Sequence, residues 1–226
     1  MIIKYVPCNG GNYKKGRTDK ISFIVIHYTA GNGDTAKNNA DYYKNNAISA
    51  SAHYFVDEYD TVYQSVQDGD TAWAVGATSR YIHPLCRNAN SISIELCSRN
   101  FNGSGKSASD AGWYFKEETV KNAANLTKKL MARYGIPPEN VIRHYDVWGK
   151  ICPAPFVNNP DKWEAFKKML ETNKYSYDKT VDNMITDGIT TVDNMAYWEK
   201  VLRGEEIPKP EYLRKIFDKY HGKISG

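Results

Sequence analysis

His27, His144 and Cys152 are residues of ligand type whose positions in this chain could together do chemistry. His27 closes the apolar run at 23–27 (FIVIH), directly before Tyr28, Thr29, Ala30 and Gly31. His144 lies near the end of a second such run at 141–145 (VIRHY), and Cys152 follows eight residues later in the proline-rich segment 151–155 (ICPAP). Two imidazoles and a thiol brought together from strand ends and one loop leave a fourth position open around a metal. That is how catalytic zinc sites are built, whereas structural sites are closed by four protein ligands. No HExxH-type motif is present, so core histidines satisfied by hydrogen bonds stand as the alternative reading. No CxxC pair occurs either, which excludes a zinc ribbon or a thioredoxin-type site. Cys8, Cys86 and Cys97 read as small buried hydrophobes.

The elements that must position these groups follow from periodicity. The run at 23–27 is short, β-branched and apolar throughout, as in a strand buried on both faces. Residues 35–46 have helical character and carry Tyr42 and Tyr43. The alternating runs at 52–57 (AHYFVD) and 61–66 (TVYQSV) flank Glu58, Tyr59 and Asp60, a hairpin signal. In the strand expected at 91–97 (SISIELC), Ile92, Ile94 and Leu96 face one way and Ser91, Ser93, Glu95 and Cys97 the other. Residues 117–134 carry a helical stripe that Gly135 and the prolines at 137 and 138 stop. A last strand is expected at 141–145 and a last helix at 161–170, with Trp163, Phe166, Met169 and Leu170 on its apolar side. Residues 21–174 thus read as one α/β unit.

After Lys174 the pattern changes to helices without strands. Thr180 to Met184 (TVDNM) recurs at 191–195. Met195, Trp198, Val201 and Leu202 lie at helical spacing before Gly204, and residues 210–220 form a second helix with Tyr212, Leu213, Ile216, Phe217 and Tyr220 facing inward. The expected organisation is a catalytic domain at 1–174 and a small helical domain at 175–226. A core of that size is marginal alone, which docking on the first domain or on another copy, as a homo-oligomer formed through this domain, would relieve.

Composition narrows the classes. With 41% hydrophobic and 13% aromatic residues, global disorder is excluded. No apolar run reaches the eighteen or so residues of a membrane span, so no membrane insertion is expected. A net charge of +4 from 30 basic and 26 acidic residues lacks the dense basic patch nucleic-acid binding needs, so no nucleic acid is expected as a partner. Residues 1–17 have no apolar h-region, so the expectation is synthesis in the cytoplasm without a signal peptide.

Five runs in order carry a resemblance: IVIHYTA at 24–30, SAHYFVD at 51–57, AWAVG at 72–76, NSISIEL at 90–96, and RHYD at 143–146 through KICP at 150–153. Together they resemble the zinc-dependent N-acetylmuramoyl-L-alanine amidases, the family shared by phage endolysins, wall-recycling amidases and peptidoglycan recognition proteins. The resemblance covers about two-thirds of the chain. It implies a mixed central β-sheet flanked by helices, Zn²⁺ held by His27, His144 and Cys152, and bacterial peptidoglycan as the partner. It also implies Glu95 as the group that moves the water proton and Lys150 as stabiliser of the oxyanion. His53 and Trp73 are the substrate-binding candidates it suggests, each with a core role as the alternative. The implied activity is cleavage of the amide joining N-acetylmuramic acid to L-alanine on the wall after release, as in an endolysin, a layout that also implies wall binding by the helical domain at 175–226. A non-catalytic peptidoglycan-binding module, or a zinc peptidase cutting another stem-peptide bond, is the competing reading.

Overall fold

The computed structural model describes residues 1–76, 80–171, 184–186, 188–202 and 204–224. The chain divides into two compact units, Met1–Leu170 and Glu171–Gly226. The first is built on a six-stranded sheet. Strands β1 (Ile2–Tyr5), β3 (Phe23–Tyr28), β4 (Tyr54–Val56), β5 (Thr61–Gln64), β7 (Ser91–Leu96) and β10 (Val141–Arg143) lie in the order β1-β5-β4-β7-β3-β10. Only the β4–β5 hairpin is antiparallel, so the sheet is mixed. Two-stranded ribbons pair β2 (Tyr13–Lys14) with β6 (Thr71–Ala72) and β8 (Arg99–Asn100) with β9 (Trp113–Tyr114).

The period-two pattern of the strands decides what each face carries. Ile24, Ile26, Ile92, Ile94 and Leu96 enter the main core with Tyr54 and Val56. Helices α2 (Glu117–Tyr134) and α5 (Pro160–Leu170) cover them with Ala123, Leu126, Leu130, Phe166 and Leu170. Each Ile, Leu or Phe side chain taken fully from water contributes about 1.5–3 kcal/mol. The α2 bounds agree with the sequence pattern. Glu117 and Glu118 favour the positive helix start, and Gly135, with φ 64°, supplies the left-handed residue that ends it. The opposite face buries Val25, Cys86 and Val147 and, under helix α1 (Ala36–Asn45), Ala36, Ala40, Phe55 and Cys97. All four cysteines are free and buried.

The last strand is shorter than its apolar run. It ends at Arg143, and His144 opens the one-and-a-half-turn helix α3 (His144–Trp148). The reason is local: the Asp146 carboxylate accepts the Arg143 backbone N–H at 2.8 Å and pairs with its guanidinium, a helix start in place of another ladder residue. Gly149, with φ 85°, then turns the chain into the Cys152 loop, and α4 (Ala154–Val157) follows.

The second unit contains α6 (Met195–Leu202) and α7 (Pro210–Ile224). Trp198 is buried and packs its ring on Tyr197 and Tyr212 at 5.4 and 5.2 Å. Leu213, expected inward, is 49% exposed, because the Tyr212 side of α7 meets the aromatic cluster and its neighbour is turned about 100° away. The 174/175 boundary, the first copy of the TVDNM repeat up to Asn183, and the side chains of Phe217 and Tyr220 lie outside the described residues. Among the described residues no helix is long and apolar enough to cross a membrane.

Candidate metal centre and catalytic pocket

Sheet register brings the chemistry together. His27 of β3 is directly opposite Glu95 of β7, so two residues 68 apart in sequence share one end and one face of the sheet. Arg143 pairs with Ile26, so the next residue, His144, arrives beside His27; their ring centroids are 4.6 Å apart. Cys152 is brought in when the Tyr145 backbone N–H donates to its carbonyl at 2.8 Å. Its Sγ then lies 3.8 Å from His27 Nδ1. The donor atoms of His27, His144 and Cys152 all lie within 4.8 Å of one another, and all three residues are buried. That is within about 1 Å of the spacing required by metal bonds of about 2.0–2.3 Å.

The chemistry of the set fits a zinc-like cation. Buried polar groups normally have partners, yet His27 Nε2, His144 Nδ1 and Glu95 Oε2 have none. The Trp148 indole nitrogen lies 2.6 Å from His144 Nε2, a contact that fixes the orientation of the ring. Burial holds His27 well below the ordinary imidazole range, helped by His144, Lys150 and His53. Burial and Lys150 hold His144 down at about 3. Both rings are therefore neutral at physiological pH, as metal ligands must be. Burial, followed by Glu95, pushes the Cys152 thiol up; a bound cation supplies the charge that keeps such a thiol ionised.

Glu95 stands next to the cluster, with Oε1 3.9 Å from His27 Nδ1 and 16% of its side chain exposed. Burial pushes its carboxyl up to about 8, with Lys150 pulling against and Asp34 adding to the rise. The cluster opens into a cavity of about 250 Å³ whose walls include His27, Glu95, His144, Lys150, Cys152 and Trp73. Six of the seven residues singled out in the sequence thus meet at one cavity. Trp73 is 36% exposed there, held by reciprocal bonds of its backbone to the Ser51 hydroxyl and N–H.

His53 is the exception. Strand parity puts it on the cavity side, as expected, but the ring is only 1% exposed and is not part of the cavity wall. Nδ1 accepts the Ser93 N–H at 3.0 Å, and Nε2 lies 3.3 Å from the Asp70 carbonyl oxygen and 2.6 Å from Arg17 Nη2. Arg17 also donates to the carbonyls of Asp68, Asn88, Ala89 and Ser91, so its guanidinium lids the ring. Two residues on, Phe55 reaches the cavity instead. Asn39 and Tyr43, one turn apart on α1, also line it; their i, i+4 spacing was legible in the sequence, but the face α1 turns to the sheet was not.

Residues 17–155 match the family described as N-acetylmuramoyl-L-alanine amidase, well over half of the chain. The chain belongs to that family. This amidase-family chain is 36% identical over 157 residues to the N-acetylmuramoyl-L-alanine amidase CwlL of Bacillus licheniformis, covering 66% of this chain and 40% of CwlL. It is similar to the structure of a mutant of PlyL, with TM-score 0.60 and 27% identity over 76% of this chain and all of that one. It is likewise similar to the catalytic domain of XlyA, with TM-score 0.58 and 27% identity over 75% and 99% of the two chains. The chain spans half or less of the length of the curated relatives it matches.

Proposed function

We propose that the chain is a peptidoglycan hydrolase that cleaves the amide between N-acetylmuramic acid and L-alanine, with Zn²⁺ held by His27, His144 and Cys152. The observation that carries this reading is the convergence of those three donors with Glu95 and Lys150 on one cavity, in a chain of the amidase family. Zinc, when bound, supplies the Lewis acidity that makes water nucleophilic near neutral pH. Glu95 accepts the proton of the attacking water and returns it to the departing L-alanine nitrogen. A carboxyl at about 8 is protonated at neutral pH; a cation beside it favours the carboxylate and so prepares it as a base. Lys150, exposed at the cavity rim, places its ammonium against the oxyanion that develops on the carbonyl oxygen. Trp73 offers a flat ring for a sugar or peptide face.

The helical unit at 175–226 serves, in this reading, to hold the enzyme on the wall. Trp198 is spent on the unit's own packing, which leaves the partly exposed Tyr197 and Tyr212 as the candidate contact rings.

Mass spectrometry of products from purified peptidoglycan tests the activity, using wild type, chelator-treated protein and Cys152→Ala. Stem peptides with a free L-alanine N-terminus should form with wild type alone. Walls bound but uncut, even with added zinc, would make the chain a binding module; fragments with a different new N-terminus would make it a peptidase.

A further inference from the structure

We propose that Asn39 is a specificity-determining residue of this cavity. Its side-chain oxygen, oriented by Asp34, accepts a hydrogen bond from the peptide N–H that follows L-alanine in the substrate stem. This inference rests on the amidase reading above.

The geometry removes the usual freedom of an asparagine amide. Asn39 Nδ2 lies 2.8 Å from Asp34 Oδ2 and 2.9 Å from the Thr35 carbonyl oxygen, with Cys97 Sγ at 3.7 Å. A carboxylate and a carbonyl can only accept. The amide nitrogen must therefore face them, and its two N–H groups are used. The carbonyl end, Oδ1, is turned the other way. Among the described residues no donor reaches it, and it is not one of the buried unpartnered atoms. Since Asn39 lines the cavity, the result is an acceptor of fixed identity at the wall.

Asp34 is itself held. Arg99 Nη1 donates to its backbone carbonyl at 3.1 Å, while its Oδ1, 3.9 Å from the same nitrogen, has no hydrogen-bond partner among the described residues, and Arg99 is tied by two bonds of 2.9 and 3.1 Å to Glu58. The carboxylate also lies over Gly31, where a Cβ would come within 2.3 Å of Oδ2. Gly31 thus lets Asp34 sit close enough to grip the amide, and the loop that leads from His27 into α1 sets the acceptor's direction.

A fixed acceptor selects for an N–H and against its methylated or ester counterpart. The peptide stem carries the substrate's regularly spaced N–H groups, and each loses its water on entering the cavity and needs a replacement acceptor. The scissile nitrogen belongs to the Glu95 and Lys150 side of the chemistry, so the next N–H along the stem is assigned to Asn39.

The test uses the zinc-loaded chain of residues 1–226 with N-acetylmuramoyl tripeptide and the same compound N-methylated on the second stem residue. Wild type should show kcat/KM lower by about tenfold on the methylated compound, mainly through KM. Asn39→Ala should treat the two compounds alike, with zinc content unchanged. Asp34→Ala should shrink the discrimination to about twofold to threefold, and Asp34→Asn, which retains an acceptor, should restore it. Equal cleavage of both compounds by wild type overturns the proposal without needing any variant, as does discrimination that survives in Asn39→Ala. Absence of cleavage of either compound by wild type overturns the amidase reading and this inference with it.

Discussion

Replacing His53 by glutamine should change how stability depends on pH, and by a predictable amount. In the folded chain His53 is buried, and burial together with the Arg17 guanidinium lowers its pKa to about 3. In the unfolded chain it titrates near 6.5. The folded pKa is depressed, so the unfolded state binds the extra proton. The contribution of His53 is therefore complete well above pH 6.5 and is lost as pH falls through 6.5 toward about 3. Between pH 6.5, where the unfolded state holds half a proton, and pH 5.0, where it holds nearly a whole one, the limiting slope of about 1.36 kcal/mol per pH unit integrates to about 1.7 kcal/mol. Glutamine does not titrate, and its side-chain oxygen can still accept the Ser93 N–H. The measurement is urea unfolding of zinc-loaded wild type and His53→Gln at both pH values, followed by tryptophan fluorescence. Wild type should lose about 1.7 kcal/mol more than the variant over this interval, whatever the other groups do, because they are common to both proteins. Equal losses would refute the reasoning: the ring would then be either solvated or already protonated against Arg17.

Glu95→Gln should lower kcat by about 10²–10⁴ without lowering zinc content, checked by single-turnover product analysis beside elemental analysis. Lys150→Met should cost about 10²–10³ in kcat on the same substrate. Phe166→Ala empties a fully buried site packed against Phe156 and Trp163 and should destabilise the first unit by about 3–5 kcal/mol in urea unfolding. Removing residues 175–226 should leave cleavage of small soluble muropeptides and weaken pelleting with intact walls; undiminished pelleting would remove wall binding from that unit's role.

Local pattern was enough for the elements that bury a regular stripe. Ile92, Ile94 and Leu96 identify β7, the apolar run 23–27 identifies β3, and the stripe ending at Gly135 bounds α2, because burial of one face imposes a period of two or 3.6 on the residues themselves. The candidate ligand residues were legible as types at strand ends, and the ordered motifs around them named the family. Strands of two residues such as β2, β6, β8 and β9 are too short to carry any period. The pairing of His27 with Glu95 is a register between distant strands, which only the assembled sheet sets. The same holds for the lid that Arg17 forms over His53 and for the turn of α1 that brings Asn39 to the cavity. Each depends on contacts across more than thirty residues of chain. A sequence records which faces are apolar; which groups meet across the core is decided by packing the whole chain at once.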